Sequence, residues 1–169
     1  MTARNALHVA KAIRTDIGKL PGPPEEGRRS SVQSVILMST VRGTRGYIER
    51  VANQANGAYE NGWYDACAVM LRRLLETLII EAFEHHHIDS KIKNAAGDFL
   101  YLKDLIDRCL HESAWNLSRN CKQAMPKLKD VGDRSAHSRR YNAHRGDIEP
   151  LVVDIRLVVQ ELIYLAGLK

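Results

Sequence analysis

The stretch from Trp63 to about His86 constrains the fold more than any other part of the chain. At 100° per residue, Met70, Leu71, Leu74 and Leu78 fall on one face of a helix, and Val69, Arg73, Glu76 and Ile80 fall on another. A helix that is apolar on two faces must be covered on both. This element is therefore predicted to be the central helix of a bundle, or one shared between a core and a subunit interface. Glu76 follows Arg72 and Arg73 by four and three residues, so an intrahelical ion pair is available. Because Arg73 and Glu76 share the second face with Val69 and Ile80, they are expected to form a partly buried structural pair.

The other elements point the same way. Ile48, Val51, Ala52 and Ala55 predict an amphipathic helix from Arg45 to about Ala58, with Asn56-Gly57 as its weak point or end. Short helices are expected near Tyr101–Leu110, and from Trp115 to Met125 with a stop at Pro126. A long final helix is expected from about Ile148 to Leu168, with Pro150 in its first turn. The run from Ser31 to Val41 suits a strand or a buried helix, and the helical surroundings favour the helix. Residues 1–20 have helical spacing at Ala6, Ala10, Ile13 and Ile17, followed by a linker rich in proline and glycine. The expected organisation is thus an N-terminal arm and linker over 1–31 and an all-α bundle over 32–169. A chain of 169 residues suits a single core.

Composition excludes some classes of protein. Hydrophobic residues at 44% and charged residues at 27% are ordinary globular values. Charge interrupts every apolar stretch well short of the ~18 residues of a membrane span. The N-terminus lacks the apolar run and cleavage site of a secretory signal, and Cys67, Cys109 and Cys121 show no metal or redox spacing. These features predict a cytoplasmic protein with reduced thiols, no metal and no cofactor. The consecutive histidines His85, His86 and His87 point about 100° apart on a helix and cannot converge on one ion.

The net charge of +5 is concentrated in one place. Between Arg119 and Arg145, eight Lys or Arg stand against two acids, leaving the rest of the chain close to neutral. A focused basic segment suits a phosphate-bearing partner such as RNA, DNA or a nucleotide, although a solvated basic surface has the same composition. Within it, Gly132 is expected to adopt positive φ and close a helix, opening a turn that runs to His144. Arg134, His137, Arg139, Arg140 and His144 lie within eleven residues. Histidine can move protons near neutrality, and arginine offers fixed donors matched to phosphate oxygens. Together they are the minimum set for metal-free RNA cleavage. Histidines that only cap helices would leave the same pattern.

Two segments carry a resemblance. The helix GWYDACAVMLRRLLE at 62–76 and the segment LKDVGDRSAH at 128–137, followed by a long C-terminal helix, resemble a bacterial branch of the HEPN superfamily over about 42–168. The resemblance implies a four- or five-helix bundle, usually dimeric, with arginine–histidine turns of two subunits facing each other. Active members are metal-independent endoribonucleases, often toxins or antiviral-defence effectors; inactive members bind nucleotides, RNA or other proteins. Aligned on the glycine, His137 matches the family histidine, whereas Lys129 stands where arginine is expected and Asp133 where asparagine is usual. Lysine keeps the charge and loses the bidentate fork. The family spacing of arginine, four residues and histidine recurs downstream at Arg139 and His144.

The expected assignments follow. Arg139 and His144 are the leading catalytic candidates, with His137 and Arg134 shaping the same pocket. Lys127, Lys129, Arg140 and Arg145 would hold the RNA backbone. The alternatives are a catalytically silent nucleic-acid, nucleotide or protein-interaction module, and a dimerisation domain that does not need the basic turn.

Overall fold

The computed structural model describes residues 34–169. The expected N-terminal arm and its linker, 1–31, lie outside them. The described chain is all-α: α1 (Met38–Val41), α2 (Gly46–Glu60), α3 (Tyr64–His85), α4 (Leu102–His111), α5 (Arg119–His137), α6 (Arg145–Ile148) and α7 (Val152–Leu165). Two 3-10 turns, Asp89–Ile92 and Glu149–Leu151, complete it. Five of these helices are ten residues or longer, as a four- to five-helix bundle requires. None of the described helices is long and apolar enough to cross a membrane.

The helix α3 is central, packing against α2, α4, α5 and α7. Leu71, Leu74, Leu75, Leu78, Ile79 and Phe83 are buried around it and join one contiguous apolar cluster with residues of every other long helix. The second face differs from expectation. Val69, Glu76 and Ile80 are only half-buried and Arg73 is exposed, so this stripe forms the outer edge of the bundle.

Backbone chemistry sets the element ends. α2 runs past Asn56-Gly57 and stops at the next Asn-Gly pair, where Gly62 has φ +76. There Gly62 N–H donates to Tyr59 and Trp63 N–H to Ala58, which is a Schellman closure. Asn56 is instead fully buried: its Oδ1 accepts from Ile36 N–H at 2.8 Å and its Nδ2 donates to Ile36 carbonyl at 2.9 Å. This pairing holds 34–37 in a non-helical course, so that among the described residues of the helix expected over 31–41 only Met38–Val41 are helical. Arg156 adds donors to the Ser34 and Val35 carbonyls.

The expected stop at Pro126 does not occur. α5 continues to His137 because Cys121, Ala124, Met125, Leu128 and Val131 are all buried on one side of it. That burial outweighs the one hydrogen bond proline removes. Gly132 likewise lies inside α5, without the positive φ expected of a helix-closing glycine. Its role is close approach, since a Cβ there would lie 2.5 Å from Arg72 Cβ and 3.1 Å from the Ala68 carbonyl. The turn itself is therefore shorter, from Ser138 to His144. The last expected helix begins later, at Val152, after α6 and the 3-10 turn that contains Pro150.

Candidate functional site

The two segments that carry the resemblance meet in space. Arg72 Nε donates to Asp133 Oδ1 at 2.7 Å, beside the Gly132 contact. Arg72 also reaches Glu76 at 3.4 Å. The ion pair expected of Arg73 with Glu76 is thus made by Arg72, because only the Arg72 side of α3 faces α5; Arg73 is exposed.

Lys129, expected as an RNA contact, joins the same network. Its Nζ lies 2.8 Å from Asp133 and 3.3 Å from Asp130, and its side chain is only 19% exposed. The hydrogen bond to Asp133 is the main reason its pKa is raised. Burial pushes the Asp133 carboxyl upward, but donors from Lys129 and Arg72 together hold it below the usual range. Lys129 is a neutralised structural cation in this arrangement.

Other expected contacts divide in the same way. Lys127 pairs with Asp154 at 3.2 Å, and Arg145 pairs with Glu149 at 3.3 Å while lying 5.9 Å from the centre of the Tyr59 ring. Arg119 and Lys122 open α5, about 25 Å of helix away from the turn. The basic segment is therefore concentrated in sequence but spread along a helix in space.

Four of the expected residues remain together on the exposed turn: His137 at the end of α5, Arg139, Arg140, and His144 before α6. Among the described residues, Arg139 and Arg140 enter no ion pair. Arg134, one helical turn before the end of α5, stacks its guanidinium over Tyr141 at 4.8 Å. Burial raises the Tyr141 phenol, opposed by Arg134 and assisted by the charge of Asp147.

Two carboxylates hold the backbone of this turn. Asp65, in the first turn of α3, accepts from Ala143 N–H at 2.9 Å, and Asp147 accepts from His144 N–H at 2.8 Å. That backbone hydrogen bond is the largest cause of the lowered Asp147 pKa. Sequence reasoning places Asp147 only as an acid complementing the start of the last helix and gives Asp65 no role. The spacing of Asp147, three after His144, is a capping signal. No local pattern marks a contact between Asp65 and a residue 78 positions away.

The turn is largely exposed. A cleft of about 1300 Å³, lined by His85, His86, Trp115, Glu161, Tyr164 and neighbours, lies at the other end of α3, about 30 Å along the helix. His86 lies there 3.2 Å from the Leu165 carbonyl, and its ring sits 5.1 Å from that of Trp115. The tandem histidines thus terminate α3, with His87 in the left-handed region at φ +57. Among the described residues no three or more His, Cys, Asp or Glu are placed to hold a metal.

No protein-family model, curated protein or solved structure matches the chain.

Proposed function

We propose that this chain is a HEPN-like RNA-binding protein that holds the phosphate backbone on the turn between α5 and α6. The observation that supports this reading is the state of the arginines. Arg139 and Arg140 are exposed and unpaired among the described residues, on a backbone pinned at Ala143 and His144. Neighbouring cations are neutralised by Asp154, Asp133 and Glu149. An exposed cationic turn suits a polymer, whereas a small nucleotide is ordinarily bound in an enclosing pocket.

Each phosphate contact on single-stranded RNA contributes about 0.7 to the slope of log K against log salt. Arg139→Ala with Arg140→Ala should therefore lower that slope by about 1.4 and weaken binding, as read by fluorescence anisotropy across a salt series. An unchanged affinity and slope would overturn the assignment.

Metal-independent cleavage at the same turn is a second reading. It is favoured by His137 and His144, two exposed imidazoles that bracket the arginine pair. Lys129 cannot serve as the phosphate clamp beside His137, being bound to two aspartates. Arg139 and His144 would carry that role. Cleavage of a mixed RNA in the presence of a chelator, lost on His137→Ala with His144→Ala, is the expected result; chelator-resistant cleavage that survives both substitutions would exclude it.

A further inference from the structure

We infer that the RNA-binding end of the bundle takes single-stranded RNA, with Trp63 as a platform on which a base stacks. The inference rests on the proposed phosphate-binding role of the turn and adds a residue and a substrate class to it.

Trp63 is 65% exposed, although an indole is among the most costly side chains to leave in water. Its backbone is held on both sides. Its N–H donates to Ala58 at 2.8 Å, closing α2, and its carbonyl accepts from Cys67 N–H at 2.9 Å, opening α3. The ring is thus presented from a fixed point, not from a loose loop.

That point lies beside the basic turn. Asp65, two residues on, is the acceptor for Ala143 N–H, so the Cα atoms of Trp63 and Asp65 are within about 7.6 Å by chain geometry. A second connection runs through the rings. Arg145 lies over Tyr59, Tyr59 meets Tyr64 edge-on at 5.7 Å, and Tyr64 adjoins Trp63 in the chain. Tyr164 is more exposed at 79%, but it lines the cleft with His85 at the opposite end of α3.

An exposed aromatic ring at the same end of the bundle as unpaired arginines is the combination that binds unpaired nucleotides: the cations track phosphates, and any base can stack on the ring. A duplex hides the faces of its bases and can use only the cations. Single strands should therefore be preferred.

The test uses the full chain with an RNA of about 12 nucleotides as a single strand, as a duplex with its complement, and as an abasic oligomer with the same phosphates. Trp63→Ala should weaken single-strand binding about tenfold or more, with the salt slope unchanged, and Trp63→Phe should retain most of the affinity. Duplex and abasic binding should be weaker in the wild-type chain and insensitive to Trp63. In a Trp115→Phe chain, single-stranded RNA should quench the fluorescence of Trp63. If Trp63→Ala and quenching show nothing while Arg139→Ala with Arg140→Ala still weakens binding, the platform is wrong and the phosphate turn stands. If no form of RNA binds, both fall.

Discussion

Gly132 shows how one residue can be read correctly as important and wrongly in kind. Its place between Val131 and a run of polar residues suggests a helix end, because glycine tolerates positive φ. In the structure it is helical, and its missing side chain is what lets α5 approach α3 at Arg72 and Ala68. Alanine at this position tests the close approach. In an open helical site, alanine would stabilise by somewhat under about 1 kcal/mol. Here the new Cβ meets Arg72 Cβ, an atom tied to the α3 backbone, and the helices must separate. Overpacking of this kind costs about 1–3 kcal/mol, so Gly132→Ala should be net destabilising. A urea titration should show a lower midpoint at unchanged slope; a raised midpoint would mean that α3 and α5 leave room for a Cβ at Gly132. The same contact explains why Arg72, not its neighbour, pairs with Glu76 and Asp133. Helical spacing allows either arginine, and only the position of α5 chooses between them.

Among the elements, α3 was legible because twenty-odd residues of apolar spacing leave no competing structure. α2 and α5 were legible in their interiors but not at their ends, since Asn-Gly and proline signals are local and burial is not. Asn56 carries the strongest case. Its amide substitutes for a secondary-structure partner of Ile36, in surroundings where both residues are 0% exposed. Asn56→Ala should orphan that N–H and carbonyl and cost about 2–4 kcal/mol, more than a cavity of that size alone. Hydrogen exchange should show the Ile36 amide losing protection. Retained protection would mean that Arg156, which holds Ser34 and Val35, suffices to fix this segment. The candidate site was legible in residue type and not in grouping. Lys127, Lys129 and Arg145 are as basic in sequence as Arg139 and Arg140; Asp133 and Glu149 stand four residues after Lys129 and Arg145, a spacing that allows a pair without requiring it, and Asp154 reaches Lys127 only once α5 and α7 pack.

At the scale of the whole molecule, the three thiols provide a test of whether the bundle behaves as one unit. Cys67, Cys109 and Cys121 sit on α3, α4 and α5, at most 1% exposed, in one apolar cluster. Burial pushes Cys67 and Cys109 up to about 12 and raises Cys121 as well. A thiol reacts as its thiolate and needs access. At about pH 8, near the free thiol's own value, a soluble disulfide reagent should therefore label none of the three in the folded chain and all three on unfolding. Because the residues share one core, they should become reactive at the same denaturant concentration, together with the loss of helical circular dichroism. α4 is the shortest of the long helices, and a local opening there would expose Cys109 ahead of Cys67. Mass spectrometry of partly labelled chains distinguishes the outcomes. Unlabelled and triply labelled species alone indicate one cooperative core, whereas a population labelled only at Cys109 would show that α4 opens separately from the α3–α5 pair that positions the basic turn.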